Sequence, residues 1–287
     1  MVDIVIQHLP QSLPQMLPHL LAALAYAALG FHFWNTRWRQ TNQPLAGTPM
    51  RPWERGAVGA ALATQALGLW GGLFAEGAMR FSFSLALSLM LWLAVLIYWL
   101  ESFRARMDGL QPLVLPLAAL CALTPVVFPQ AHLIANAEAI GFKLHFVTAM
   151  LAYSLFTLAA LHAVFMSFTE TALHKKMLTR SLASLPPILT MEALLFRMLG
   201  AGFILLSIAL GSGVFFSEEV FGKALTLNHK TLFAFASWGI FATLLIGRHA
   251  RGWRGRKALH WTLAGFLLLV LAYIGSRFVA EVILGRV

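Results

Sequence analysis

The sequence predicts an all-α integral membrane protein, a bundle of about eight transmembrane helices. Three observations indicate this fold class: 59% of the residues are apolar, only 11% are charged, and the apolar residues form long continuous runs. A spanning helix needs about 20 largely apolar residues, because the hydrocarbon core of a bilayer is about 30 Å thick. The runs do not alternate between apolar and polar residues, as the strands of a membrane barrel would.

Eight apolar runs, separated by polar loops, account for a single transmembrane domain, 1–287. The first run follows a stretch without the basic residues of a signal peptide, so we expect it to be retained as a helix. Each run is long enough for about one membrane crossing. The predicted spans are 16–34, 56–75, 81–101, 111–129, 144–168, 192–217, 230–247 and 259–283.

Basic residues are distributed unevenly between the two sides of the predicted membrane. Of the Lys and Arg residues in loops, fourteen lie on one side and six on the other. The more basic loops of inner-membrane proteins face the cytoplasm, so we expect both termini outside. This topology explains the net charge of +10. We expect membrane lipid as a partner, and we do not expect the protein to bind nucleic acid. We therefore place the protein in a bacterial inner (cytoplasmic) membrane as a multi-pass protein.

Two of the ten histidines stand at matching positions in the topology. His145 and His229 begin the fifth and seventh spans at the outer boundary. Two imidazoles at similar depth on neighbouring helices can ligate both faces of a haem iron while apolar side chains enclose the macrocycle. The alternative is that each is an interfacial histidine solvated by water. His32 and His162, near the inner face, form either an inner site or hydrogen-bonded packing contacts.

Few other residues indicate a ligand-binding, metal-binding or catalytic role. Arg197 lies near the inner end of the sixth span, and a guanidinium there must pair with an acid, reach the interface or meet a ligand carboxylate. We expect structural pairing. Cys121 is the only cysteine, so there is no CxxC metal motif and no CxxCH motif for covalent haem. No nucleophile with a base, phosphate-binding glycine loop or zinc motif occurs, so we expect no enzymatic activity.

Three stretches of the second half carry a resemblance to a known family. They are LHFVTAMLAYSLFTLAALHAV, MEALLFRMLGAGFILLSIALGSGVFF and LNHKTLFAFASWGIFATLLIGRHARGWRGRKA. Over about 141–284 the chain resembles the cytochrome c assembly superfamily of haem-handling membrane proteins (CcsA/CcmC-type), and it is most similar to the HemX-like and YpjD-like branch. The first four spans, within 1–140, diverge from that family. The matching positions are His145, Glu192, Arg197, Gly202, Ser212, Gly213, Asn228, Lys230, Trp238 and Arg248.

The chain also departs from the family pattern. Ile246 falls where the family has a histidine, which removes an inner ligand, and His229 replaces a family proline as in the HemX-like and YpjD-like pattern. The tryptophan-rich loop of the family, W-G-x-x-W-x-W-D, has lost its three tryptophans and its aspartate. The corresponding residues are Phe221, Gly222, Leu225, Leu227 and Asn228.

The resemblance implies a protein that binds or passes haem b at the outer face of the membrane during cytochrome c maturation. It implies His145 and His229 as axial ligands, Asn228 and Trp238 as pocket residues, and Arg197 or Lys230 as partners of a propionate. Haem and other cytochrome c maturation proteins are the expected partners. Two alternatives remain: a non-haem membrane partner or regulator with a HemX-like role in tetrapyrrole synthesis, and a small-molecule transporter.

Overall fold

The computed structural model describes residues 13–39, 49–74, 79–103, 109–129, 131–134, 137–174, 188–215 and 229–284. Over these residues the chain is almost entirely helical, which confirms the all-α prediction. The exception is a short antiparallel pair of strands, β1 (Arg80–Phe81) and β2 (His132–Leu133).

The described residues form eight helices, each overlapping one predicted span. The longest, α5, extends beyond the predicted 144–168 at both ends. The helices are α1 Leu13–Phe33, α2 Pro52–Leu73, α3 Phe83–Glu101, α4 Gln111–Val127, α5 Ile140–His174, α6 Ile188–Phe215, α7 His229–Arg251 and α8 Arg256–Val270. Helix α1 continues as the π-helical Trp34–Arg39, and α8 continues through π-helical Leu271–Gly275, the short α-helical Ser276–Phe278 and π-helical Val279–Ile283.

Six helical segments are long and apolar enough to cross a membrane, so the chain is a multi-pass membrane protein. The prediction of about eight spans would further require α2 and α4 to cross the membrane. Helix α4 is apolar but has only 17 residues, and α2 begins with the charged pair Glu54 and Arg55. Both chain ends lie outside the described residues, so their location stays a prediction. The six segments are Met16–Arg39, Phe83–Glu101, Ile140–Thr171, Ile188–Phe215, His229–Arg251 and Arg256–Ile283.

The eight helices pack as two groups of four. In the first group, α1 and α3 each pack against α2 and α4; in the second, α5 and α7 each pack against α6 and α8. Helix α5 also packs against α3 and so joins the groups. Small residues bring the helices close: a Cβ on Gly30 would lie 2.9 Å from the Pro116 ring, and one on Gly265 would lie 2.8 Å from the Phe241 ring.

Side chains near both ends of the bundle add further links between the groups. At the end that the charge distribution predicts to face the cytoplasm, which we call the inner end, the Trp38 indole donates to the Gly109 carbonyl at 3.2 Å and stacks on Phe165 of α5. At the other end, the Glu281 carboxylate accepts a hydrogen bond from the Phe83 backbone N–H, at 3.1 Å. The two groups are therefore connected at both boundaries of the membrane.

A buried carboxylate holds α1 against α2 at the inner end. Glu54 is 1% exposed, and its oxygens lie 3.0 Å from Arg37 Nη2 and 3.0 Å from His32 Nε2. The Arg51 backbone N–H donates to the same carboxylate at 2.7 Å. Because Arg37 is itself only 2% exposed, each charge depends on the other for its stability in the interior.

Replacing Glu54 should destabilise the fold more than replacing an acid in an exposed pair. Glu54→Ala leaves the Arg37 guanidinium buried without its carboxylate, which costs roughly 3–5 kcal/mol of unfolding free energy. The matched control is Glu101→Ala, because Glu101 pairs with Arg197 and the Arg197 side chain is 63% exposed; a cost of about 0–1 kcal/mol is expected. Thermal unfolding in detergent measures both, and equal effects would contradict this role of Glu54.

The predicted orientation can be tested by cysteine labelling, because the single native cysteine, Cys121, is buried. Arg254→Cys should react in intact cells only with a membrane-permeant maleimide. Glu138→Cys should also react with an impermeant one, since the Glu138 side chain is 96% exposed at the opposite end of the bundle. Labelling of Arg254→Cys by the impermeant reagent would show that the chain is inserted the other way.

Candidate functional site at the outer end of the bundle

His145 and His229 lie at the same end of the second helix group. Helix α5 is antiparallel to α6, because His145 contacts the end of α6 while His162 contacts its beginning. Helix α7 is also antiparallel to α6. Trp238, nearer the start of α7, donates to Ser207 Oγ, nearer the end of α6. Arg248, near the end of α7, lies 4.0 Å from Glu192 near the start of α6. The starts of α5 and α7 and the end of α6 therefore meet. We refer to this as the outer end, following the topology that the charge distribution predicts.

The His145 ring is held against α6 in a defined tautomer. Its Nδ1 lies 2.9 Å from the Ala209 carbonyl oxygen and 3.4 Å from Ser212 Oγ. Because a carbonyl oxygen only accepts, Nδ1 donates its proton and Nε2 carries the lone pair. A Cβ on Gly213 would lie 3.2 Å from His145 Cε1, so the glycine leaves room for the ring. Metal-ligating histidines are oriented in this way by a carbonyl on their other nitrogen.

His229 is the first residue of α7, and its side chain is exposed. Its predicted neighbour in the pocket, Asn228, lies outside the described residues, as do the other positions that correspond to the tryptophan-rich loop. Within the described chain, no group of three or more His, Cys, Asp or Glu side chains could hold a metal ion. A haem site needs only two such ligands, and the pairing of His145 with His229 stays a prediction.

Aromatic side chains stack between α6 and α7, about 13 Å along α7 from His229. Trp238 Nε1 donates to Ser207 Oγ at 2.9 Å, and the indole stacks on Phe203 with 5.4 Å between ring centroids. Trp238 is 36% exposed, so one surface of the indole is open to a flat apolar group. On the other side of α5, Phe146 packs against Phe81 of β1 at 5.0 Å between centroids.

Lys230 and Arg277 bring positive charge to the outer end. Lys230 follows His229 on α7 and is half-buried, and Arg277 lies on the continuation of α8, whose π-helical segment Leu271–Gly275 packs against α7. The Arg277 guanidinium lies 6.0 Å above the Tyr273 ring. Sequence analysis selected Lys230 but missed Arg277, because only the packing of α7 against the continuation of α8 places both residues at this end of the bundle.

Arg197 is not part of this end of the bundle. It lies twelve residues before Ala209 on α6, about 18 Å toward the inner end. Its Nη2 is 3.2 Å from Glu101 Oε2 on α3. Arg197 therefore has the structural pairing that the sequence favours, and we leave it out of the proposed site.

The inner histidines also have separate structural partners. His162 Nε2 lies 3.0 Å from the Met191 carbonyl oxygen on α6, while His32 is bonded to Glu54 between α1 and α2. Nearby, the buried Glu192 accepts the Gly255 N–H at 2.6 Å. These contacts favour the interpretation of His32 and His162 as packing residues.

Comparison with known proteins assigns most of the chain to the family that its sequence resembles. The family model described as "Cytochrome C assembly protein" matches residues 59–284, and so includes most of α2 and all of α3 and α4 as well as the second helix group. "Inner membrane protein YpjD" of Escherichia coli (strain K12) is 30% identical over 166 residues, which are 58% of this chain and 62% of the relative.

Two further relatives cover shorter stretches. "Uncharacterized 28.8 kDa protein in nifR3-like 5'region" of Azospirillum brasilense is 35% identical over 150 residues, 52% of this chain and 55% of the relative. "Cytochrome c biogenesis protein CcsA" of Prochlorococcus marinus (strain NATL1A) is 34% identical over 85 residues, 30% of this chain and 27% of the relative. The chain thus spans less than two thirds of the length of these relatives.

Proposed function

We propose that the chain, which belongs to the cytochrome C assembly protein family, handles haem during cytochrome c biogenesis. Relatives of the chain carry the names cytochrome c biogenesis protein CcsA and inner membrane protein YpjD. The six segments able to span a membrane support a multi-pass location, which we assign to the bacterial inner membrane. The site of action is the outer end of the second helix group.

The observation that carries this proposal is the hydrogen bond from His145 Nδ1 to the Ala209 carbonyl oxygen. It fixes the tautomer in which Nε2 can donate its lone pair to iron, and it holds the ring against α6. The Gly213 backbone leaves the space that the ring occupies. These residues fit a haem-ligating histidine.

His229 is the proposed second axial ligand, at the start of α7 and at the same end of the bundle. The chain has no CxxCH motif, so the group is non-covalent haem b. Haem supplies an iron with two axial positions and a flat apolar macrocycle. Trp238 and Phe203 form a stacked aromatic pair between α6 and α7. Trp238 and Asn228 are proposed to shape the pocket.

The proposed action is to bind and position haem, not to transform it. Axial ligation requires neutral imidazoles and an apolar enclosure, and it needs no proton-transfer group. We therefore propose a non-enzymatic role in which haem is held at the outer face for delivery to, or exchange with, other cytochrome c maturation proteins. Haem and membrane lipid are the proposed direct partners.

A regulator of the same fold that binds no haem is the second candidate. It is favoured by the loss of the tryptophans at Phe221, Leu225 and Leu227, since those side chains define the family's haem-presenting loop. Such a protein would act on tetrapyrrole synthesis through a partner. The two candidates differ in whether the purified protein takes up haem.

Removing either histidine should weaken haem binding and change the ligation of the iron. The purified full chain, titrated with haem in detergent, should give the sharp Soret band of a six-coordinate low-spin iron. His145→Ala and His229→Ala should each lower the affinity at least about tenfold and change the spin state, because one axial ligand is lost. His249→Ala is the matched control, as His249 is exposed near the inner end of α7. A wild-type protein that takes up no haem would favour the regulator.

Crowding the His145 ring should weaken haem binding without removing a ligand. In Gly213→Val the added atoms meet His145 Cε1 and Nδ1, displace the ring and strain its bond to Ala209. Loss of such an orienting contact typically costs 10–100-fold in metal affinity, roughly the effect expected here. Gly211→Val is the matched control, because a Cβ there has nothing within 4 Å. Equal affinities of the two variants would show that the ring position does not matter.

A further inference from the structure

The connection between α7 and α8 concentrates positive charge at the inner end of the second helix group. Five Lys or Arg residues lie within ten positions of the sequence, at the end of α7, in the connection and at the start of α8. They are Arg248, Arg251, Arg254, Arg256 and Lys257. Two acids of the described chain, Glu170 and Glu192, lie within 4.0 Å of members of this set. The connection therefore has more cations than the described carboxylates balance.

Three of the five cations have partners within the protein. Arg248 and Arg256 are the residues that lie near the two glutamates, at 4.0 and 3.8 Å. Lys257 Nζ lies 3.6 Å from the centre of the Trp253 ring, in a cation–π contact. These three side chains are held by the fold.

Arg251 and Arg254 are exposed and have no acidic partner among the described residues. Both lie in or next to the short connection, three positions apart. A guanidinium binds phosphate oxygens through two parallel N–H donors, with more geometric specificity than an ammonium. Two exposed guanidinium groups so close together favour a partner that carries a phosphate.

The connection that carries these arginines has a defined shape. Gly252 and Gly255 adopt positive φ angles of 63° and 60°, a conformation that side chains disfavour. The Trp253 N–H donates to the Gly247 carbonyl at 3.1 Å, and a Cβ on Gly247 would lie only 2.5 Å from the Trp253 ring. The Gly255 N–H donates to Glu192 of α6 at 2.6 Å. The two arginines are thus presented on a turn that is fixed to α6 and α7.

Two tryptophans indicate the depth of the connection in the membrane. The rings of Trp253 and Trp261 pack with 5.3 Å between their centroids. Tryptophan is enriched at the level of the lipid headgroups. Trp261 lies five residues beyond Arg256 on α8, about 8 Å deeper in the bundle. Arg251 and Arg254, close to Trp253 in the chain, therefore lie at the level of the lipid phosphates.

We propose that the α7–α8 connection binds the headgroup of an anionic phospholipid of the inner leaflet. Arg251 and Arg254 contact the phosphate, and Trp253 is the positioning residue that holds the turn against α7. A zwitterionic headgroup brings no net charge to balance the two arginines, so the site selects anionic lipid. The inference adds a lipid class and a place of contact to the expected lipid partner, and it uses no residue of the proposed haem site.

Lipid binding to the purified full chain in neutral detergent tests this site. Native mass spectrometry with equimolar phosphatidylglycerol and phosphatidylcholine should show preferential retention of phosphatidylglycerol by the wild type. Arg251→Gln/Arg254→Gln should lower the phosphatidylglycerol affinity about ten- to thirtyfold, since one basic residue at an anionic lipid surface typically contributes about fivefold. Its phosphatidylcholine affinity should not change.

The matched control is Arg39→Gln/Arg51→Gln, which removes two exposed arginines from the inner end of the first helix group. It should keep the phosphatidylglycerol affinity within about twofold of the wild type, because general attraction by net charge is only a small part of a defined contact. Equal losses in the two double variants would overturn a site at the α7–α8 connection. A wild type that retains both lipids equally would overturn it as well.

The role of the turn can be separated from its charge. Gly247→Ala keeps every cation, but its methyl group meets the Trp253 ring and displaces the turn, so phosphatidylglycerol affinity should fall about three- to tenfold as preorganisation is lost. Gly239→Ala on the same helix is the control, because a Cβ there has nothing within 4 Å. If Gly247→Ala fails to fold, Trp253→Leu replaces it with the same expectation. Wild-type affinity in the variant tested would overturn the positioning role of Trp253.

Discussion

The bilayer interior offers no water to polar groups, and this constraint explains where the polar side chains of the protein lie. Glu54 is buried between Arg37 and His32, and Glu281 is buried between Arg277 and a helix N-terminus. Each of these two carboxylates joins two helices near one end of the bundle: Glu54 joins α2 to α1, and Glu281 joins the continuation of α8 to α3. The helices are therefore fixed by paired charges near both ends of the bundle, and in its middle by close apolar packing and by buried hydrogen bonds such as those from Gln65 to Ser88 and from Ser237 to the Gly265 carbonyl.

The same constraint explains the fixed orientation of the His145 ring. Its Nδ1 proton is satisfied by a backbone carbonyl near the end of α6, and the missing side chain of Gly213 lets the ring approach. An imidazole held in this manner presents a fixed nitrogen without further reorganisation, which is what ligation of a metal requires. The arrangement provides binding and orientation, and it is consistent with a protein that positions haem for others.

The first four helices do more than anchor the chain in the membrane, because they pack against the second helix group at both ends of the bundle. The family match begins in α2, and the outer end contains Phe81 and Phe83 from the first group beside His145 and Glu281 from the second. At the inner end, Trp38 stacks on Phe165 of α5. Movement of one group relative to the other would therefore alter the packing at both ends.

The sequence alone determined the helices, because a run of apolar residues with the length of a bilayer can satisfy its backbone only as a helix. It also placed His145 and His229 at helix starts of the same predicted face. It could not identify Glu101 as the partner of Arg197, nor Glu281 as the acceptor of the Phe83 N–H. Those pairs join residues far apart in the chain, and their meeting depends on the rotation and register of packed helices, which hydropathy does not encode. Only the tertiary structure decided them.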